Sequence, residues 1–481
     1  PPLVAALEAS AAEDAASFHF PGHNRGEAAP PSLARLIGTR PFKHDLPELP
    51  ELGDLFSSEG PIFEAQKLAA ELFGASETWF LVGGSTCGIQ TAIMSTCDPG
   101  DVLVLPRNAH ISAVSGMVLS GALPEYVVPE YDSKWDVASG ITPSQAIKCR
   151  LYDDLEKRGR KPAAVLIVSP SYHGICSDVA VISKLCHDSD VPLIVDEAHG
   201  AHFGFHPKLP SSALSLGADL VVQSTHKTLC SLTQSSMLHL SGGFGRVDRG
   251  RIRRCLRTVQ SSSPSYLLLA SLDAARAQLN ESSFDGAIEL SEEAKRRIGG
   301  IPGISVVGCA DFPNFPAVDP LRITVGTWGL GLSGHAADGA LFREFGVVSE
   351  LVGTRSFTLA FGLGTRGDHV SRLVEGLRHL SGNFCSSSTT TSSSSSTYDL
   401  GEIDVVLSPR EAFFAEKRSV RISESVGEIC GEVICPYPPG IPLLFPGEVI
   451  TESALNYLLS VRSHGGGVAG AADQSLLVVC R

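Results

Sequence analysis

Short runs of apolar and β-branched residues alternate with helix-like stretches through the first half of the chain. Six of these runs predict strands, at residues 78–82, 102–105, 163–168, 191–195, 219–222 and 236–240. Continuous apolar runs of this length, without polar alternation, indicate strands that are covered on both faces. Strands of this kind separated by helices are typical of an α/β fold. We therefore predict a mostly parallel sheet that is covered by helices.

The pattern changes after residue 295 and again after residue 385. Three apolar stretches, at residues 304–308, 321–325 and 357–361, predict a smaller α+β domain. Residues 386–397 are all Ser or Thr, which predicts a linker because such a segment has nothing apolar to bury. We therefore predict five parts: an N-terminal segment (1–60), a large domain (61–295), a small α+β domain (296–385), a linker (386–398) and a C-terminal domain (399–481).

Composition and charge exclude several classes of protein. The 481 residues are 43% hydrophobic and 19% charged, which is typical of a globular protein and excludes a wholly disordered one. The formal net charge of −14 argues against binding along nucleic acid or on an anionic membrane surface. No apolar run reaches the roughly 18 residues that a membrane helix needs. We expect a small molecule, preferably cationic, rather than nucleic acid or a membrane.

The cysteines point to a reducing compartment. Twelve are scattered along the chain, and none forms a Cys-x-x-Cys pair. The numbering begins at Pro1, so a targeting segment could have been removed before it. We expect the cytoplasm, or the plastid stroma if a transit peptide was removed.

Polar side chains follow two neighbouring predicted strands. Asp196 ends one strand, and Lys227 lies shortly after the next. The carboxyl ends of parallel strands meet at one edge of a sheet, where α/β folds bind their ligands. A lysine there can form a Schiff base with an aldehyde, and an aspartate can hold a pyridine nitrogen protonated. A buried structural ion pair explains this spacing equally well.

A glycine-rich turn offers a site for an anion. Residues 79–88 (WFLVGGSTCG) run from a predicted strand into a helix start. Free backbone N–H groups and the hydroxyls of Ser85 and Thr86 would suit a phosphate there. On its own, an ordinary glycine turn with a capping hydroxyl is the better interpretation.

Together, the turn, the aspartate and the lysine occur in the order typical of pyridoxal-phosphate enzymes with the aspartate aminotransferase fold. The chain resembles the ornithine/lysine/arginine decarboxylases over nearly its whole length. The resemblance rests on residues 18–26 (FHFPGHNRG), 45–49 (DLPEL), 107–110 (RNAH), 169–174 (SPSYHG), 196–199 (DEAH), 224–227 (STHK), 260–266 (QSSSPSY) and 436–448 (PYPPGIPLLFPGE). It implies pyridoxal 5'-phosphate as the cofactor, a fold-type-I large domain that binds it, and a homodimer with the active site at the interface.

The resemblance also implies roles for individual residues. Lys227 would bind the cofactor aldehyde, Asp196 the pyridine nitrogen, His110 the ring face and His199 the phenolic oxygen, and these four would be catalytic. Further contacts to the phosphate would come from Ser85, Thr86, Ser224 and His226, and from Ser262 or Ser263 of a neighbouring protomer.

The implied reaction is decarboxylation of a basic amino acid, which would feed diamine or polyamine synthesis. Lysine is marginally preferred over ornithine and arginine. The substrate's distal cation would meet an acidic residue, for which the candidates are Glu48, Asp54, Glu59 and Glu448. Two alternatives stay open: an aminotransferase or other chemistry at Cα, and a catalytically silent paralogue that acts as a binding subunit.

A metal site is the alternative for the histidine-rich segment after Asp196. His199, His202 and His206 offer nitrogen ligands, but they lack a recognised zinc spacing. Gly200 and Gly204 indicate a loop rather than a helix that would align them. We predict no metal.

Overall fold

The computed structural model describes residues 1–147, 161–243, 245–384, 403–437, 442–463, 466–472 and 475–480. The predicted Ser/Thr-rich linker lies outside these described residues.

A seven-stranded sheet forms the centre of the large domain. Its strands are β1 (Glu77–Leu81), β2 (Val102–Pro106), β3 (Leu123–Val127), β4 (Pro162–Val168), β5 (Leu193–Asp196), β6 (Leu220–Gln223) and β7 (Ser236–Leu240). Their spatial order is β1-β7-β6-β5-β4-β2-β3. Strands β2 to β6 pair in parallel, and β7 is antiparallel to both β6 and β1. The predicted mostly parallel sheet is confirmed, and it contains all six predicted strands.

The continuous apolar runs arise because both faces of this sheet are buried. In β4, Val165 and Ile167 belong to one hydrophobic cluster, whereas Leu166 and Val168 belong to another. Successive side chains of a strand point to opposite faces. The two clusters therefore form the two cores between the sheet and its helices.

Helices before, between and after these strands build the two covering layers and the N-terminal segment. They are α1 (Pro2–Ala12), α2 (Pro31–Ile37), α3 (Arg40–His44), α4 (Pro61–Phe73), α5 (Gly84–Thr96), α6 (Ile111–Ser120), α7 (Pro143–Ile147), α8 (Val179–Asp188), α9 (Thr225–Thr228), α10 (Arg249–Val259), α11 (Tyr266–Ala277) and α12 (Asp285–Gly299).

A small antiparallel sheet forms the second domain, in agreement with the predicted α+β pattern. Its strands are β8 (Ser305–Val306), β9 (Arg322–Gly326), β10 (Leu351–Val352) and β11 (Ser356–Ala360), packed with α13 (Gly334–Phe345) and α14 (Gly367–Phe384). The predicted boundary between residues 295 and 296 falls inside α12, so we propose that the division lies outside this helix. A short ribbon of Ile175–Cys176 and Ala317–Val318 joins the two domains, and a second ribbon pairs Tyr131–Asp132 with Val137–Ala138.

The C-terminal part has its own apolar cluster, to which Cys430, Ile434 and Val478 belong. It consists of α15 (Pro409–Phe414), β12 (Lys417–Arg421), β13 (Cys435–Tyr437), α16 (Glu452–Ser463), β14 (Gly467–Ala469) and β15 (Ser475–Val479). Strand β12 pairs with β15, and β13 pairs with β14. Across the described parts of the whole chain, no helix has both the length and the apolarity that a bilayer span requires.

Candidate active site

Asp196 and Lys227 lie at the same edge of the large sheet. Asp196 is the last residue of β5, and Lys227 lies in α9 directly after β6. The two strands are parallel neighbours, so their carboxyl ends open into one crevice. The Lys227 amine lies 3.0 Å from Nε2 of His199. No ion pair joins it to Asp196 in the described part of the chain, so the structure does not support the alternative of a structural ion pair.

The surroundings of Lys227 favour its neutral amine. Although the residue is partly exposed, loss of solvent around its amine lowers the pKa, and the positive charge of Arg322 lowers it further. Asp196 and Glu350 act in the opposite direction, because their negative charges favour the ammonium form. A lysine whose pKa is depressed in this way carries more free amine at neutral pH and is a better nucleophile towards a carbonyl.

His199 is a neutral partner of this amine. The ring is buried and packs at 4.8 Å against Tyr172. Burial and the nearby positive charge of Lys227 hold its pKa well below the usual range for histidine. Its Nδ1 is buried and makes no hydrogen bond among the described residues, and such an orphaned polar atom is costly without a ligand.

Asp196 lies at the bottom of the crevice with only 6% of its surface exposed. Its Oδ1 accepts a hydrogen bond from the backbone N–H of Ala198, at 3.1 Å. Burial raises the pKa of this carboxyl, while His110 and Lys227 lower it. A cationic ring nitrogen would fit here, because an opposite charge would offset the cost of burying the carboxylate.

His110 is held in a fixed orientation on the wall of the crevice. It caps the N-terminus of α6, where its Nδ1 accepts a hydrogen bond from the backbone N–H of Ser112, at 3.2 Å. Burial lowers its pKa, in keeping with an unprotonated Nδ1. The resulting ring is neutral and suits a stacking contact with a flat cofactor.

The glycine-rich turn and the STHK segment meet at the entrance of the crevice. Ser224 Oγ donates a hydrogen bond to Ser85 Oγ at 2.8 Å, and Thr86 is exposed beside them. Helix α5 begins here at Gly84, whose φ of +75° favours glycine, and no side chain caps its N-terminus. First-turn N–H groups beside two hydroxyls suit a phosphate. His226, two residues after Ser224, is half-buried, and its Nδ1 donates a hydrogen bond to the Ser235 carbonyl at 2.8 Å.

These residues fit pyridoxal 5'-phosphate. Its phosphate, ring nitrogen and aldehyde require an anion cradle, a carboxylate and an amine, and the crevice provides the turn around Ser85, Asp196 and Lys227. The orphaned nitrogen of His199 adds a polar group beside the amine. The described residues thus have the donor set that the cofactor needs.

The serines expected to reach a neighbouring protomer and three of the acidic substrate candidates are exposed. Ser262 and Ser263 are exposed in the loop between α10 and α11. The acidic candidates Glu48, Asp54 and Glu59 are also exposed. The negative charges of Glu48 and Asp54 raise the pKa of Tyr266, the first residue of α11. The two serines and these two acidic residues therefore lie near the start of this helix.

Glu448 is not available to a substrate. Its side chain is fully buried and forms a two-fold ion pair with Arg107, with N–O distances of 2.5 and 2.9 Å. The carboxylate is already neutralised and cannot also hold a distal ammonium or guanidinium group. We therefore withdraw the expectation that Glu448 recognises the substrate.

Sequence reasoning missed a carboxylate that acts on the crevice. Glu350 precedes β10 in the small domain, is exposed, and raises the pKa of Lys227. The G-x-G-x-x-G matches on either side of it, at residues 329–334 and 362–367, do not indicate a carboxylate in this crevice. Its approach to Lys227 depends on how the small domain packs against the large one, which the sequence pattern does not indicate.

The histidines of the segment after Asp196 point to different partners. His202 pairs with Asp319 at 2.9 Å, His206 with Asp285 at 3.4 Å, and His199 with Lys227. Among the described residues, no group of three or more His, Cys, Asp or Glu side chains is arranged to hold a metal ion.

The hydroxyl pair at the entrance gives a testable prediction. Replacing Ser85 or Ser224 by alanine removes a donor to the phosphate, so each change should weaken cofactor binding about 10-fold. Fluorescence titration of the cofactor-free protein with pyridoxal phosphate measures this change. Pyridoxal without the phosphate serves as the control, and its affinity should stay the same. Equal losses for both compounds would place the phosphate elsewhere.

Comparisons with known proteins identify relatives of this chain. Two family models match: "Orn/Lys/Arg decarboxylase, major domain" over residues 1–311 and "Orn/Lys/Arg decarboxylase, C-terminal domain" over residues 394–471. The chain is 35% identical to the arginine decarboxylase of Bacillus subtilis, covering 99% of this chain and 97% of the relative. It is 36% identical to the arginine decarboxylase of Halalkalibacterium halodurans, with 98% and 96% covered.

The fold has also been seen in solved structures. The structure of lysine decarboxylase A from Pseudomonas aeruginosa superposes with a TM-score of 0.87 at 24% identity, covering 100% of this chain and 80% of the other. At this identity, the match supports the fold alone.

Proposed function

The chain belongs to the Orn/Lys/Arg decarboxylase family, whose members are pyridoxal-phosphate-dependent enzymes, and from this premise we propose that it decarboxylates arginine. The observation that carries the chemistry is the meeting of the Lys227 amine, the Asp196 carboxylate and the Ser85 turn at one sheet edge. The choice of arginine is supported by two arginine decarboxylases that are 35% and 36% identical over almost the whole length. This replaces the marginal preference for lysine.

The side chains of the crevice have separate tasks in this reaction. When bound, the cofactor supplies an aldehyde for the substrate amine and a ring that withdraws the electrons left as carbon dioxide departs. Lys227 would hold the cofactor through its amine and release it to the substrate amine. Asp196 would favour a protonated ring nitrogen, and His110 would contact the ring. His199 Nε2, at 3.0 Å from the Lys227 amine, can exchange a proton with it.

A turnover panel tests the reaction and the substrate together. Carboxyl-labelled arginine, lysine and ornithine are supplied separately to the cofactor-loaded enzyme, and released carbon dioxide is measured. We expect the highest kcat/KM with arginine. Keto-acid formation without carbon dioxide would favour the aminotransferase alternative. Absence of turnover with all three would favour the silent paralogue.

We propose that Glu350 contacts the guanidinium group of arginine. Its carboxylate already acts on the Lys227 amine across the crevice, and a buried or half-buried cation needs such a partner. The Glu350→Gln variant should raise KM for arginine about 10-fold, because a charge-assisted hydrogen bond is lost. Steady-state kinetics measure the change.

The matched control is Glu344→Gln in the same small domain. Glu344 lies on α13 and pairs with His379 at 3.3 Å. This variant should leave KM and kcat unchanged. An unchanged KM in Glu350→Gln would show that the guanidinium is held by another group.

We also propose a homodimer in which the face around the start of α11 meets a second copy. The exposed Ser262 and Ser263 and the acidic loop of Glu48 and Asp54 lie together on this face. In a dimer, this position would let them act on the neighbouring crevice. Sedimentation velocity at micromolar concentration should show a dimer, and a monomer would contradict the proposal.

A further inference from the structure

A buried ion pair joins the C-terminal domain to the loop that carries His110. Arg107 and Glu448 have side-chain exposures of 5% and 0%. Besides its two bonds to Glu448, the guanidinium donates to the Leu443 carbonyl at 3.3 Å. Two parallel N–H to carboxylate bonds fix both the distance and the plane of the pair.

The rest of the surroundings holds this pair rigidly. The rings of Tyr126, from β3, and Phe445 stack at 4.5 Å, and the guanidinium lies 5.3 and 5.1 Å from their centroids. Glu448 Oε2 also accepts a hydrogen bond from the Phe445 N–H. Gly447 completes the turn with a φ of +93°, and a Cβ there would lie 2.0 Å from the Leu407 carbonyl oxygen. Only glycine fits this turn, so the position of Glu448 is determined by the backbone.

Arg107 is three residues away from His110, and the chain between them is tightly bonded. The Arg107 N–H donates to the Val127 carbonyl at 2.9 Å, and Asn108 Nδ2 donates to the Ser139 carbonyl at 3.1 Å. The Ala109 N–H donates to Pro106 at 3.0 Å. These bonds connect the Arg107 side chain to the start of α6, where His110 is the capping residue.

We propose that Glu448 is a positioning residue: through Arg107 it fixes the 107–110 loop and so the orientation of the His110 ring. The C-terminal domain thereby contributes to the active site through this pair. This inference rests on the proposed function in one respect: the proposed function places the cofactor ring against His110.

The test compares the Glu448→Gln and Glu448→Asp variants of the full-length protein with an Arg410→Ala control. Arg410 belongs to the same C-terminal domain but contacts the other end of α6, where its guanidinium donates to the Leu119 carbonyl at 3.4 Å. The first readout is hydrogen–deuterium exchange in the cofactor-free protein, over the first turn of α6. The second is the split between kcat and KM.

In Glu448→Gln, the first turn of α6 should exchange about 10-fold faster, because one charge of a buried pair is lost and the loop is released. The value of kcat should fall by a similar factor, while KM changes little. Glu448→Asp keeps the charge but is one methylene shorter, so its effects should be intermediate. Arg410→Ala should match the wild type in both readouts.

Unchanged exchange and unchanged kcat in Glu448→Gln would overturn the proposal. Equal changes in Arg410→Ala would also overturn it, because any loosening of the two domains would then suffice. If Glu448→Gln does not fold, Glu448→Asp decides alone, and wild-type behaviour of that variant contradicts the inference. The exchange readout needs no substrate, so it stays informative even if the turnover panel rejects arginine.

Discussion

Replacing Lys227 by alanine should reduce carbon dioxide release by about 10³-fold or more, because the variant loses both the amine that binds the aldehyde and a proton carrier at Cα. The absorbance band of lysine-bound cofactor near the visible edge should disappear as well. The amine suits this task because burial and Arg322 lower its pKa. Stopped assays with labelled arginine and an absorbance spectrum of the purified protein measure the two effects.

Two further variants separate the amine from its charge. Lys227→Arg keeps a positive charge, but its guanidinium does not deprotonate and cannot bind an aldehyde. It should therefore be as inactive as Lys227→Ala. Lys208→Ala removes an exposed lysine that pairs with Glu292 on the surface, and should behave like the wild type. A visible band that persists in Lys227→Ala would contradict the assigned role.

The sheet could be predicted because its central strands are buried on both faces. Strands such as β4 must be apolar at every position, and this leaves a signal that needs no knowledge of the fold. The edge strand β3 was missed because it is not buried in this way and lacks a continuous apolar run. Within the described sheet it pairs with β2 alone, its residues are half-buried, and it contains Pro124 and Glu125. Edge strands tolerate such residues, so a continuous apolar run is not required there.

The central part of the candidate site was also accessible from the sequence. Asp196 and Lys227 follow adjacent strands, and the strand order alone brings them to one edge. The sequence did not indicate whether the two side chains form an ion pair. The alternative of an ion pair predicts a contact, whereas the structure places the Lys227 amine beside His199.

The residues proposed to hold the substrate could not be predicted, because their positions depend on packing between domains. Glu448 belongs to a family motif and is acidic, which made it a candidate. Its partner Arg107 lies far away in the chain, and no local pattern indicates that the two meet. Glu350, which we propose as the contact of the guanidinium group, is the converse case. Its charge acts on Lys227 because of how the small domain packs against the large one, and no motif indicates this.

The second large effect is expected from Asp196→Asn. The amide keeps the hydrogen bond from the Ala198 N–H but carries no charge, so it cannot hold a proton on the ring nitrogen. The value of kcat should fall by about 10²-fold or more, as for other losses of preorganised charge in an active site. Rapid-quench measurement of carbon dioxide release at saturating arginine gives this value.

The same change should not destabilise the cofactor-free protein. Burial raises the pKa of Asp196, which means that burying its charged carboxylate opposes folding. Removing that charge should leave the melting temperature unchanged or higher. The loss of kcat and the retained stability together distinguish an active-site carboxylate from a structural one.

Asp219→Asn is the matched control, because Asp219 is a buried carboxylate at the opposite end of the adjacent strand β6. It accepts a hydrogen bond from the Leu193 N–H at 2.8 Å and pairs with His187 and Arg246. Its loss removes the charged acceptor of the Leu193 N–H and of His187, although Arg246 keeps its pair with Asp190, so this variant should lose roughly 3 kcal/mol of stability. The folded fraction should keep the wild-type absorbance band and kcat. If both variants lost stability and kept kcat, Asp196 would be a structural residue and the crevice would lack the charge that this chemistry needs.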